Sequence, residues 1–201
     1  FIKGHRNEPF FLYFATNDVH VPRFPHARFR GKSQMGLRGD AIVQFDWSVG
    51  EIMKTLAQLG LADNTLIILT SDNGPVVDDG YQDQAEELLH GHRPAGPFRG
   101  NKYSAFEGGT AVPLIVSWPA RVPRGVKSKA LLSQIDLFAS LQTLIGATLP
   151  KGSAPDSRNY LPAFLGTDSI GRNYVLGQSS AHVLSVCTPH WRYIEPHDGP
   201  K

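Results

Sequence analysis

The chain has 201 residues, 41% of them apolar, with 20 basic against 18 acidic side chains for a formal net charge of +2. That is ample for one domain core or one and a part, and the scattered lysines and arginines, with no basic helix, leave no footprint for nucleic acid. No apolar run approaches the about 20 residues that cross a bilayer, and the single cysteine, Cys187, excludes an internal disulfide and a cysteine-built zinc site.

The chain opens at Phe1 rather than at methionine and stops at Lys201, after Glu195-Pro196-His197-Asp198-Gly199-Pro200, so both ends read as cuts in a longer protein. Pro9 to Asn17 is rich in aromatics, has no helical period, and predicts a buried strand. It delivers Asn17-Asp18-Val19-His20-Val21-Pro22 to a loop, with His20 pinned before Val-Pro. Arg23 to Arg38 carries two prolines and several arginines and reads as a surface loop. From Asp40, apolar residues at Ile42, Val43, Phe45, Val49, Ile52, Met53, Leu56 and Leu59 recur at three- and four-residue steps, predicting an amphipathic helix that stops at Gly60, with Trp47 in the core.

Leu66-Ile67-Ile68-Leu69-Thr70 is an uninterrupted aliphatic run and predicts the next strand. Strand, helix and strand make a βαβ unit, whose strands run parallel and place His20 on the same sheet edge as Ser71-Asp72-Asn73-Gly74. In an open α/β sheet, ligands collect outside the carboxyl ends of the strands. Asp72 and Asn73 put two hard oxygen donors there, a pairing that suits Ca²⁺ or Mg²⁺, although the same residues also serve as plain turn formers.

Gln82 to Leu89 is expected to be a short helix, and Gly91 to Lys102, with its many Gly and Pro residues, a display loop. Glu107-Gly108-Gly109 reads as a turn. Val112 to Pro119 reads as a strand closed by proline, and Asp136 caps a helix that runs through to Gly146. Tyr174-Val175-Leu176, His182 to Cys187 and Trp191 to Ile194 read as short strands close enough in sequence to pair antiparallel. The fold class is therefore α/β, in two expected parts: residues 1–150 form the α/β domain, and residues 151–201 begin a small antiparallel subdomain.

Four pieces in this order, Val19-His20-Val21-Pro22, Thr70-Ser71-Asp72-Asn73-Gly74, Gly100-Asn101-Lys102 and Phe106-Glu107-Gly108-Gly109-Thr110-Ala111-Val112-Pro113, resemble the C-terminal half of the formylglycine-dependent sulfatases. These belong to the alkaline-phosphatase-like superfamily. Trp191-Arg192-Tyr193-Ile194 is similar to the family's late tryptophan-basic-tyrosine strand. The resemblance implies a sandwich with a mostly parallel sheet flanked by helices, plus a small C-terminal antiparallel sheet. It implies that Asp72 and Asn73 hold a divalent cation, calcium with magnesium as the alternative, that His20 protonates the leaving oxygen, and that Lys102 binds a sulfate oxygen. His92 and Arg99 flank Lys102 and are candidates to bind substrate.

Two departures from the family pattern stand out. The family's nucleophile is a cysteine or serine in Cys/Ser-x-Pro/Ala-x-Arg, oxidised to formylglycine, and it lies with a paired aspartate in the N-terminal half. Cys187-Thr188-Pro189-His190-Trp191-Arg192 imitates that motif with the arginine one place late, and Ser179-Ser180-Ala181-His182 lacks the arginine. Ala111 stands where the family's Glu-Gly-Gly-x-Arg-x-Pro has arginine. The implied activity is hydrolysis of sulfate esters, of a sulfated carbohydrate rather than a small aryl sulfate, by a protein that needs the N-terminal half; the piece alone is expected to be inactive. The resemblance also implies action outside the cytoplasm, in the periplasm or extracellular space of a bacterium rather than a lysosome. Two alternatives stay open: a phosphatase or phosphodiesterase of the same superfamily, and a non-catalytic sulfatase-like glycan-binding domain.

Overall fold

The structure is a computed structural model and describes residues 1–148, 150 and 152–196. The chain forms two compact units, one of residues 1–65 and 75–97, the other of residues 66–74 and 98 onward.

The first unit is built on α1, Gly36–Gln58. It begins four residues earlier than its apolar period predicts, because Asp40 clamps the preceding loop onto the first turn, accepting from Gly31 N at 2.7 Å and Ser33 N at 2.8 Å. The expected stop holds. Gly60 takes φ +69°, and Leu61 N reaches back to Leu56 O at 2.9 Å, the closure that satisfies the last helical carbonyls. Trp47 is not in the core: it is 41% exposed, with the Arg28 guanidinium 3.6 Å from its ring centroid and Phe29 on its flank. The helix expected over Gln82–Leu89 shrinks to a 3-10 turn at Glu87–Leu89.

The strand expected over Pro9–Asn17 does not form a ladder among the described residues; Phe11 and Tyr13 are 76% and 81% exposed. A strand exists only through a neighbour that accepts and donates its backbone hydrogen bonds, so sequence period alone did not make one.

The second unit carries the strand that does form, β1, Ile67–Thr70. Its partner is β2, Leu114–Ser117, and the pair is antiparallel, with Ile67 opposite Ser117 and Thr70 opposite Leu114. The direction follows from the connection. After Asn73 the chain returns through α2, one helical turn at Glu107–Thr110, where Gly109 O accepts from Gly74 N at 3.0 Å. The chain re-enters the sheet beside the end of β1 and must run back. The Glu107-Gly108-Gly109 turn is thus helical.

Helix α3, Asp136–Leu144, and the single turn α4, Leu161–Phe164, cover one face of this ribbon, where Ile68 and Val116 meet Leu137, Leu141 and Phe164. Asp136 is the first helical residue rather than the cap, and it is fully buried. Its carboxylate accepts from Ser133 N, Arg158 N and the Arg172 guanidinium, which forks onto both oxygens at 2.7 and 2.6 Å. Three antiparallel strands follow as predicted: β3 (Val175–Gln178), β4 (Leu184–Cys187) and β5 (Arg192–Ile194), in the order β3-β4-β5. No helix among the described residues is long and apolar enough to cross a membrane.

Candidate active site

Asp72 and Asn73 leave the carboxyl end of β1, the first exposed and the second half-buried. Ser71 Oγ bonds to Asp72 Oδ1 at 3.3 Å and to Asn73 O at 3.2 Å. Asn73 Nδ2 donates to Gly74 O at 2.8 Å, so its amide oxygen is the end that can ligate a cation. Gln134, just before α3, braces the corner by donating to Ser71 O. The result is a carboxylate and a carboxamide oxygen, both hard donors, which fit Ca²⁺ or Mg²⁺ and not a thiolate-seeking metal. Among the described residues no group of three or more His, Cys, Asp or Glu side chains is placed to hold a metal ion.

The corner is locked to the loop that carries Arg99 and Lys102 by glycines at which no side chain fits. A Cβ on Gly74 would strike Gly108 O, one on Gly108 would strike Gly100 O, and one on Gly109 would strike the carbonyls of Ser104 and Asn101. Gly108 N donates to Arg99 O at 2.8 Å, and Ser104 N to Asn101 O at 3.1 Å. One turn of helix therefore spaces the Asp72-Asn73 corner from the Arg99–Lys102 loop by backbone contact alone. Nothing in the sequence distinguishes this role for the glycines from an ordinary turn.

Lys102 is half-buried, its Nζ 5.1 Å from the Tyr103 ring centroid. The Arg99 guanidinium lies over Phe106, 4.1 Å from the centroid. The turn between β3 and β4 supports this loop: Ser180 N and Oγ both donate to Tyr103 O, at 3.1 and 3.3 Å. Behind α2, Glu107 is held by Arg192 of β5. Gln134, Ser180 and Arg192 are residues that reasoning from the sequence missed as supports, and each acts across at least 63 residues of chain.

Asp72, Asn73, Arg99 and Lys102 thus share the second unit, while His20 and His92 belong to the first. His20 is exposed on its loop, and its Nδ1 lies 2.7 Å from Val21 O. A carbonyl can only accept, so Nδ1 is the donor in this contact. His92 is exposed, its backbone N donating to Leu89 O at 2.8 Å. Cys187, at the end of β4, is half-buried with Sγ 3.5 Å from Thr188 O; burial pushes its thiol up, Arg192 pulling it partly back, so it has none of the character of an activated nucleophile.

Comparison with known proteins gives this arrangement its family. The sulfatase family matches residues 1–147. An N-acetylgalactosamine-6-O-sulfatase of Bacteroides thetaiotaomicron is 56% identical over 200 residues, spanning 100% of this chain and 39% of that protein. A steryl-sulfatase of Rattus norvegicus is 38% identical over 203 residues, spanning 98% of this chain and 33% of that protein. A solved structure concerned with glycosaminoglycan metabolism by Bacteroides thetaiotaomicron superposes with a TM-score of 0.95 at 56% identity, over 99% of this chain and 41% of that one. The chain belongs to the sulfatase family and has the alkaline-phosphatase-like fold of its members. It spans well under half the length of these relatives.

Proposed function

We propose that the protein containing this chain hydrolyses sulfate esters of a carbohydrate, with a 6-O-sulfated N-acetylhexosamine as the first substrate to test. The relatives' names support the reaction class, and that of the Bacteroides thetaiotaomicron protein supports the sugar. The observation that carries the reading is the glycine-locked corner, which holds two hard oxygens, Asp72 and Asn73, to the loop bearing Lys102.

Asp72 and Asn73 would hold a divalent cation, calcium first and magnesium second, which when bound supplies positive charge to the sulfate oxygens. Two oxygens are too few for calcium, which takes about six to eight, so the remaining ligands come from chain outside these residues. So does the family's formylglycine, which supplies the oxygen nucleophile. Residues 1–201 alone are inactive on this reading. Lys102 places a compact positive charge on one sulfate oxygen. As the S–O bond to the sugar breaks, its electron pair stays on the sugar oxygen, and that oxygen takes the proton from His20. His92 and Arg99 bind the sugar; display loops and the guanidinium laid over Phe106 support that placement.

The division at residue 150 between the catalytic part and the antiparallel subdomain is supported by the family match, which ends at residue 147. Export to the periplasm or beyond is supported by the single cysteine and by the bacterial glycan-acting relative. The test is sulfate release by the full-length protein from 6-O-sulfated N-acetylgalactosamine, with and without a chelator, beside Asp72→Ala. Calcium-restored turnover that Asp72→Ala lowers by about 10²-fold or more is expected. Absence of release from every sulfated sugar and aryl sulfate offered would end the reading.

A further inference from the structure

The loop that carries His20 is held by one buried arginine that no comparison singles out. Arg23 is 4% exposed, and its guanidinium serves three segments at once. Nε donates to Val19 O at 3.1 Å, Nη1 to Asp83 Oδ2 at 2.6 Å, and Nη2 to Val77 O at 3.1 Å. Val19, the residue before His20, has φ +73°, a left-handed conformation that a β-branched side chain resists. Such a conformation persists only where its surroundings over-determine it. Arg23 grips the carbonyl of the strained residue, and the other side of the loop is pinned by Gln44 of α1, which donates to Asp18 Oδ1 at 2.6 Å and accepts from His26 N at 2.7 Å.

We propose that Arg23, oriented by Asp83, is a positioning residue that sets the direction of His20 by fixing the backbone of Val19. The inference rests on the reading of His20 as the proton donor. A core ion pair with no other role would not need the Nε to Val19 bond, and it would not sit next to the strained residue. Asp83 is more than a solvated charge as well: its negative charge also acts on a second buried guanidinium, Arg38, whose Nε and Nη1 have no hydrogen-bond partner among the described residues. Removing it leaves two buried cations together, so Arg23 loses its anchor as well as its counter-charge.

Proton donation matters most when the leaving oxygen is a poor leaving group, as in a sugar sulfate, and little when it is an acidic phenol. The experiment uses the full-length protein, with sulfate release from a 6-O-sulfated sugar and from aryl sulfates of decreasing phenol pKa. Wild type, His20→Ala, Arg23→Gln and the double variant are compared, with a melting curve for each. Arg23→Gln is expected to lower turnover of the sugar sulfate by roughly ten- to a hundredfold and that of the most acidic aryl sulfate only slightly. It should add little in the His20→Ala background. Equal losses on every leaving group, or losses that multiply with those of His20→Ala, overturn the proposal while His20 keeps its role. A His20→Ala variant without leaving-group dependence overturns the reading of His20 and this proposal with it. If Arg23→Gln does not fold, Arg23→Lys, which keeps the charge but not the fork, and Asp83→Asn are read by the same criteria.

Discussion

Arg192 Nε donates to Glu107 Oε2 at 2.7 Å, tying β5 to the first residue of α2 across 85 residues of chain. Its Nη1 donates to Ala105 O at 3.0 Å, so a single guanidinium holds both the glycine turn and the segment entering it. The late strand, which stands apart in sequence from the Asp72-Asn73 corner, is its outer support.

Arg192→Ala should therefore destabilise the protein. The side chains are 16% and 36% exposed, and solvent screens part of the attraction, so about 1–2 kcal/mol is expected. Glu107→Gln should cost less, because an amide oxygen still accepts. Melting curves check the first number, and calcium titration of the full-length protein checks whether the corner loosens with it. An Arg192→Ala protein with unchanged melting temperature and calcium affinity would remove the support role.

Two glycine-to-alanine changes should move in opposite directions. Gly74→Ala drives a Cβ into the Gly108 carbonyl and forces the corner apart, and a loss of more than about 2 kcal/mol is expected together with weakened cation binding. Gly50 is exposed on α1 with open space around its Cβ position, so Gly50→Ala should stabilise by about 0.5–1 kcal/mol. Denaturant midpoints of the two variants decide this, and a tolerated Gly74→Ala would contradict the close packing of the corner.

The acid side of the stability curve should report Asp136. Burial works against its charge, but the Arg172 fork and the N–H groups of Arg158 and Ser133 outweigh it and hold the carboxyl below the usual aspartate range. A depressed folded pKa means stability that is fully present above the unfolded value, about 3.9, and lost as pH falls through the lower folded one. Asp136→Asn should flatten that part of the curve, at a cost of about 3–5 kcal/mol near neutrality from leaving Arg172 without its carboxylate. A variant with the wild-type slope below pH 4 would refute the assignment.

Cys187 should behave as an inert thiol. Burial raises its pKa, with Arg192 and Glu107 acting in opposite senses, so alkylation near pH 7 should be slower than that of free cysteine. Cys187→Ser should cost about 1 kcal/mol of stability and leave sulfate release by the full-length protein intact. Loss of turnover without loss of folding would bring the cysteine back as a participant.

Several features were written locally and could be read that way. The period of α1 and its stop at Gly60, the run that makes β1, the apolar face of α3 and the three-strand meander all follow from side-chain spacing and turn residues. The residue types of the candidate site were legible too: Asp72 and Asn73 at a strand end, His20 before Val-Pro, and Lys102 in a glycine-rich loop. Tertiary structure decided the rest, because it depends on partners distant in sequence. Pro9–Asn17 has strand composition but no ladder neighbour among the described residues, β2 runs antiparallel because α2 returns the chain to the end of β1, and Trp47 sits under Arg28 rather than in the core. The same holds for the locked corner. That Gly74, Gly108 and Gly109 are glycines because carbonyls fill the space where side chains would stand, and that Arg192 reaches Glu107 and Arg23 reaches Asp83 and Val77, all far off in sequence, are consequences of packing and hydrogen bonding that no local pattern encodes.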